Sequence, residues 1–166
     1  MRVLIAGSRD ASPKSLMIAK WLGSLVAKRG HTLINGCARG VDWHALQGAI
    51  GSGGIIEAYL PSQATGWFNK CLGLPIRIIP AGRNFVGRTI RMGEIAELII
   101  IIEPRLRSNG VCGTCHLARF ANAKPVYVIN PRSYGIGLDE ELERGLGVFE
   151  RAGARIVGIN DVVRIL

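Results

Sequence analysis

Apolar residues fall along this chain in two alternating patterns. Short continuous runs at Val3 to Ala6, His31 to Ile34, Ile55 to Leu60, Pro75 to Ile79, Leu98 to Ile102, Pro125 to Ile129 and Ala154 to Val157 each end at Gly, Asn, Pro or an acidic residue, and predict strands. Between them, apolar side chains recur at helical spacing. Residues 15 to 27 place Ile18, Trp21, Leu22, Leu25 and Val26 on one face, Asp42 to Ile50 places Trp43, Leu46, Ala49 and Ile50, and 138 to 151 places Leu138, Leu142, Leu146 and Phe149. Helices are also predicted over Val86 to Ala96 and Cys115 to Ala123, with a terminal helical turn at Asp161 to Leu166. Pro61 to Leu74, mixed in polarity around Gly66, Trp67 and Phe68, predicts a loop with a short helix.

The strand runs are continuous rather than alternating, so both faces of the sheet are expected to be covered. Strands that alternate with helices then give an α/β fold, a three-layer sandwich around a mostly parallel central sheet. With 166 residues, 48% of them apolar, one unit over 1–166 can bury about two thirds of its unfolded surface. Charged residues at 20% and the absence of any low-complexity tract exclude a disordered or fibrous chain. The longest aliphatic run, Leu98 to Ile102, falls far short of the roughly 18 to 20 residues of a membrane span. The opening MRVLIAGSRD lacks a secretory apolar stretch, so a cytoplasmic protein with no membrane partner is expected.

In parallel sheets ligands bind beyond the carboxyl ends of the strands. Here those ends carry Gly7, Ser8 and Arg9, then Asn35, Gly36, Cys37, Ala38, Arg39, Gly40, Val41 and Asp42, then Glu103 to Arg105 followed by Ser108, Asn109, Gly110, Val111, Cys112, Gly113 and Thr114. Three loops rich in Gly and small polar residues at one sheet edge suit an anion, because two of them run into helices with free backbone N–H groups. Neither the GxGxxG dinucleotide fingerprint nor the GxxxxGK[ST] phosphate loop is present, which argues against a common dehydrogenase or nucleoside triphosphatase. The net charge of +9, made mostly by arginine, favours an anionic partner.

Gly7-Ser8-Arg9, NGCARGVDWHA at 35 to 45, Arg83-Asn84 and Arg88, and SNGVCGT at 108 to 114 resemble the SLOG superfamily of Rossmann-like nucleotide-binding proteins. Within it, the likeness is greatest to the Rossmann domain of DNA-processing protein A, which loads recombinase on single-stranded DNA. Asn35 to His44 looks like that family's SGxARGID and following helix, Gly53 to Leu60 like its next strand, and Gly153-Ala154 through Asp161 to Leu166 like its closing segment. The match to its serine-glycine-threonine loop is approximate, because Asn109 and the spacing from Gly110 to Thr114 depart from it. The resemblance implies a Rossmann-like fold, a nucleotide or single-stranded DNA as partner, a homodimer and no cofactor. It implies phosphate contacts at Gly7, Ser8, Arg9, Gly36, Ala38, Arg39, Gly40, Asp42, Arg83, Asn84, Arg88, Ser108, Gly110, Gly113 and Thr114.

A second SLOG branch, the phosphoribohydrolases that cleave nucleoside 5′-monophosphates, is similar at fewer positions. Its PGGxGTxxE loop would fall on Asn109 to Leu117, where Gly110, Gly113 and Thr114 match, and Arg88 and Met92 look like its Arg-x-x-x-Met. Pro, the second Gly and the catalytic Glu are replaced by Asn109, Val111 and Leu117. Glycosidic cleavage through an oxocarbenium-like transition state needs a carboxylate near the ribose. A leucine supplies none, and Asp42 or Glu94 would have to take its place.

Arg77, Arg83, Arg88, Arg91, Arg105 and Arg107 form the densest basic stretch. Arg83 and Arg88 are expected to bracket a phosphate from the protein surface, where replacing them would spare the fold, or else to form a plain solvated face. Trp67, Phe68 and Phe85 are either stacking surfaces or core. Asp42 and His44, two apart at a helix start, point to different faces and do not form a dyad; Asp42 suits orienting the Gly36 to Gly40 loop or holding a ribose hydroxyl, and His44 a local hydrogen bond. Four cysteines without an export signal do not read as a disulfide framework. Cys112, Cys115 and His116 spell C-x-x-C-H, which is compatible with small apolar packing, a redox pair, or zinc together with Cys37; packing is expected, with no metal, and Cys71 is expected in core or loop.

Overall fold

The computed structural model describes residues 1–166. The seven expected strands are β1 (Arg2–Gly7), β2 (Thr32–Asn35), β3 (Ile55–Leu60), β4 (Arg77–Pro80), β5 (Leu98–Ile102), β6 (Val126–Ile129) and β7 (Arg155–Val157). They form one sheet in the order β4-β3-β2-β1-β5-β6-β7, and every neighbouring pair is parallel. Val3 pairs with Leu98 and Gly7 with Ile102, so β1 and β5 end level with one another.

The continuous apolar runs have the expected cause, since each central strand feeds two cores. Val3 and Ile5 of β1 and Leu98, Ile100 and Ile102 of β5 face one side, where α1 (Pro13–Lys28), α2 (Val41–Gly51) and α5 (Ile159–Ile165) pack. Leu4, Ala6, Ile99 and Ile101 face the other, beneath α3 (Phe85–Ile95) and α4 (Glu140–Arg151). The fold is therefore the α/β, Rossmann-like three-layer sandwich. Caps set the helix starts: Ser12 accepts from Ser15 N–H with Pro13 in the first turn of α1, Asn84 accepts from Gly87 N–H, and Asp139 accepts from Leu142 N–H.

From β1 the chain steps outward through β2 and β3 to β4, then crosses back through α3 to lay β5 on the opposite side of β1. The strand order reverses at that point, and a crevice opens beyond the carboxyl ends of β1 and β5.

Three local expectations are corrected. The helix expected over Cys115 to Ala123 is a 3₁₀ helix at Thr114–Phe120, whose first turn carries i+3 to i bonds from Cys115 N–H to Cys112 C=O and from His116 N–H to Gly113 C=O. A disulfide between Cys112 and Cys115 ties positions three apart and favours that tighter turn. The strand expected from Pro75 begins at Arg77, because Ile76 N–H turns back to Leu74 C=O; Pro80 is tolerated because β4 is an edge. All four cysteines are paired, Cys37 with Cys71 and Cys112 with Cys115, against the expectation of free, packed thiols. Composition could not show this, because Cys37 and Cys71 lie 34 residues apart and meet only once the short 3₁₀ helix Gly66–Cys71 folds against the loop after β2.

Candidate functional site

The loops after β1, β2 and β5 and the first turns of α3 surround a cleft of about 340 Å³, within the range of small-molecule sites. Each loop reaches it for a local reason. After β2, the fully buried Asn35 accepts from Cys37 N–H at 2.7 Å and donates to Asp42 C=O at 2.8 Å, which folds residues 35–42 into a compact turn. Gly40 takes φ +87°, and its missing side chain lets the turn lie against the Ser8 and Arg9 carbonyls. Trp67 Nε1 donates to Cys37 C=O at 3.1 Å and supports the turn from outside. After β5, Thr114 Oγ1 donates to Gly7 C=O at 3.0 Å, and so joins the third loop to the end of β1.

At the base of the cleft lie Arg88 and Asp42. Arg88 is only 4% exposed; its guanidinium donates to Gly36 C=O and Tyr59 C=O, and its Nε has no hydrogen-bond partner in the protein. Any side chain on Gly36 would collide with that guanidinium and with the Asp42 carboxylate. Burial pushes the Asp42 carboxyl up to about 6, against the opposing pull of Arg88, Arg9 and the backbone N–H groups of Ala38 and Gly36. Burial also lowers the pKa of Arg88, while Asp42 opposes that shift.

The rim is cationic. Arg9, Arg39, Arg105 and Arg107 line it together with His116. Arg107 pairs with Asp10, which Arg39 also approaches at 3.9 Å, so Asp10 links the loops after β2 and β5. Arg105 is held by the buried Glu103 at 2.8 Å and by Asp139 at 2.6 Å. Arg9 makes no ion pair; its guanidinium lies 5.7 Å from the centre of the Phe85 ring and 6.0 Å from that of Phe68. Phe85, Val86, Met92, Val111 and Leu117 supply an apolar wall beside these charges. The arrangement can hold an anion against a flat or apolar group.

Of the residues expected to contact phosphate, Gly7, Ser8, Arg9, Ala38, Arg39, Asp42, Arg88, Gly113 and Thr114 line this one cleft. Gly36 and Gly40 stand behind it as supports. Arg83, Asn84, Ser108 and Gly110 are exposed and lie outside it, Asn84 serving as the cap of α3. The expected bracketing pair is therefore corrected: Arg83 is on the surface while Arg88 is buried, because Arg88 opens the second turn of α3 and points at the sheet edge. Glu94 is also away from the cleft, beside Arg91 at 3.5 Å, which leaves Asp42 as the one carboxylate in the lining. His44 accepts its expected local role, with Nδ1 2.9 Å from Gly40 C=O. Phe68 is core, whereas Phe85 faces the cleft. Cys37, bound to Cys71, is not available to a metal with Cys112 and Cys115. Thr89 and Val86 were not singled out by sequence; the apolar spacing of Phe85 and Met92 around Thr89 was the available signal.

No helix of the protein is long and apolar enough to cross a membrane. A sequence model of the SLOG cluster4 family matches residues 1–154. A relative from Archaeoglobus fulgidus, described as an uncharacterized protein, is 36% identical over 63 residues, which is 38% of this chain; the match spans 42% of that relative. Among solved structures, DNA processing protein A from Helicobacter pylori, described for its single-stranded DNA binding mode, superposes with a TM-score of 0.76 at 21% identity, covering 99% of this chain and 79% of the other. The molybdenum cofactor binding protein of the phototrophic bacterium Rippkaea orientalis superposes with a TM-score of 0.69 at 21% identity, covering 99% and 93%. These structural likenesses establish the fold.

Proposed function

The chain belongs to the SLOG cluster4 family, and from that premise we propose that it is a nucleotide-binding protein whose cleft holds the phosphate of a nucleotide or of single-stranded DNA. The observation that carries the reading is the convergence on one cleft of the unpaired Arg9, after β1, and the buried Arg88, whose Nε is unpartnered and whose guanidinium lies at the end of β2. A guanidinium fork suits the paired oxygens of a phosphate, and a buried donor without a partner carries a cost that a ligand oxygen would remove. The apolar wall from Phe85 to Val111 would receive the base or sugar. Proteins of the same fold include one described for single-stranded DNA binding and one that binds the molybdenum cofactor, which is in keeping with a ligand-binding edge at the carboxyl ends of the sheet.

The reading is of a binding protein rather than a hydrolase. Leu117, fully buried at the cleft wall, stands where the phosphoribohydrolase loop has its glutamate, and Asp42 is committed to the turn beneath Arg88. Calorimetry with nucleoside 5′-monophosphates and anisotropy with a labelled oligonucleotide test the proposal. Saturable binding that Arg9→Ala weakens supports it, and no binding of either ligand at low salt overturns it. Release of ribose 5-phosphate from the monophosphates would restore the hydrolase. The homodimer is retained as part of the proposal, with Met17 and Trp21, exposed one turn apart on α1, as its candidate contact; light scattering at tens of micromolar decides it.

A further inference from the structure

The two cysteine pairs differ in where they sit. Cys37 and Cys71 are fully buried in the core beside Phe68 and Val41, out of reach of solutes. Cys112 and Cys115 are partly exposed, and Cys112 lines the cleft with Gly113 and Thr114 of the four-residue ring that the disulfide closes. This ring closes the third loop of the cleft at the start of the 3₁₀ helix. On one side the loop carries Arg107, held to Asp10 and bonded through its N–H to Val111 C=O; within it Thr114 is anchored to Gly7 C=O. Beyond those bonds the loop makes only local ones, from Gly110 N–H to Arg107 C=O and from Val111 N–H to Asn109 Oδ1, and from Ser108 to Val111 it is solvent-exposed, with no apolar core of its own. Its order depends on few contacts, one of which is covalent.

We propose that Cys112 and Cys115 form a reversible dithiol–disulfide site that sets the order of this loop and, resting on the nucleotide-binding reading, the affinity of the cleft. The co-reactant is a low-molecular-weight disulfide of the glutathione class. A thiolate of the pair attacks one sulfur of the small disulfide, whose S–S bond breaks and releases a thiolate; the second cysteine then attacks the mixed disulfide, forms the Cys112–Cys115 bond and releases the second thiolate. Two electrons pass from the protein sulfurs to the small disulfide, and the two thiol protons end on the released thiols. Reduction runs the same steps backwards. In the disulfide form residues 112–115 are fixed before the ligand arrives; in the dithiol form ligand binding must order them. Immobilising one side chain on binding corresponds to about a three- to tenfold loss of affinity.

The protein is equilibrated in buffers of reduced and oxidised glutathione, its thiols are trapped by alkylation without unfolding, and the modified residues are located by mass spectrometry. Expected is reversible modification of Cys112 and Cys115 with Cys37 and Cys71 untouched. Amide hydrogen exchange of residues 107–117, which needs no ligand, should be faster in the dithiol form and in the Cys112→Ser, Cys115→Ser double variant. The double variant should also lose its response to reductant while keeping the fold, since Cys37–Cys71 remains. Nucleoside monophosphate should bind about three- to tenfold more tightly to the disulfide form. Failure of the pair to cycle, or equal exchange in the two forms, overturns the proposal. Equal affinity in both forms overturns its coupling to the cleft. Absence of nucleotide binding in both forms overturns the binding reading instead, and the exchange result alone then decides whether the pair orders the loop.

Discussion

Arg88 reaches from the second turn of α3 to the carbonyl of Gly36 at the end of β2, alongside the buried Asp42 carboxylate, and this contact closes the base of the cleft. Arg88 therefore supports the fold as well as the proposed ligand site. Arg88→Ala would leave the Gly36 and Tyr59 carbonyls without their donor and remove a positive charge near the buried Asp42, and an unsatisfied buried group costs about 1–3 kcal/mol. Arg83→Ala, on the surface outside the cleft, should change stability by under about 0.5 kcal/mol. Urea midpoints of the two single variants separate these outcomes; equal and small losses would mean that Arg88 is not held as described.

Asp42 gives a pH signature. Its carboxyl is raised from 3.8 to about 6 on folding, so the folded state binds its proton more tightly than the unfolded state. The sign follows: the stabilising contribution of protonated Asp42 is complete below about pH 3.8 and is lost as pH rises through about 6, a change of about 3 kcal/mol. Other groups titrate over the same range, so the informative quantity is the difference between the protein and its Asp42→Asn variant. The difference in unfolding free energy, variant minus parent, should rise between pH 4 and 7. A flat difference would remove Asp42 as the source.

The strand pattern and the loops at the cleft edge were legible because they rest on local chemistry: Val3 to Ala6 and Leu98 to Ile102 are buried on both faces, and each breaks at a Gly or an acidic residue. Gly7, Ser8, Arg9, Ala38 and Arg39 could be placed by their position after such runs. What was not legible depends on contacts distant in sequence. Arg83 and Arg88 look alike in a basic stretch, and only the crossing of α3 over the sheet edge buries one and exposes the other. Cys37 finds Cys71 through the fold of residues 66–71, and Glu103 finds Ser12, 91 positions away, across the ends of two adjacent strands.

Glu103 carries the next expectation. Its carboxylate, 1% exposed, accepts from Ser12 N–H and Ser12 Oγ, both at 2.9 Å, and pairs with Arg105. It thus joins the end of β5 to the cap of α1. Glu103→Ala should cost about 1–3 kcal/mol, because it leaves the Ser12 donors without their acceptor and Arg105 with its exposed partner Asp139. Glu103→Gln, which keeps one acceptor oxygen, should cost less. Thermal unfolding of both variants provides the comparison, and an alanine variant as stable as the parent would show that Asp139 alone satisfies Arg105.

The salt dependence of binding separates a strand of DNA from a single nucleotide. Each phosphate neutralised on a single strand contributes about −0.7 to the slope of log affinity against log salt concentration. Arg9 and Arg39 stand at the rim and Arg88 at the base of one cleft, so a mononucleotide would engage them around one phosphate, whereas a strand would have to continue past the rim. If single-stranded DNA is the ligand, Arg9→Ala and Arg39→Ala should each weaken oligonucleotide binding and flatten its slope by about 0.7, and Arg83→Ala should leave the slope unchanged because Arg83 lies outside the cleft. Fluorescence anisotropy with a labelled oligonucleotide across a salt series measures all three. If the intact protein binds no oligonucleotide at low salt while calorimetry detects a mononucleotide that Arg9→Ala releases, the ligand is the small nucleotide and the DNA reading falls.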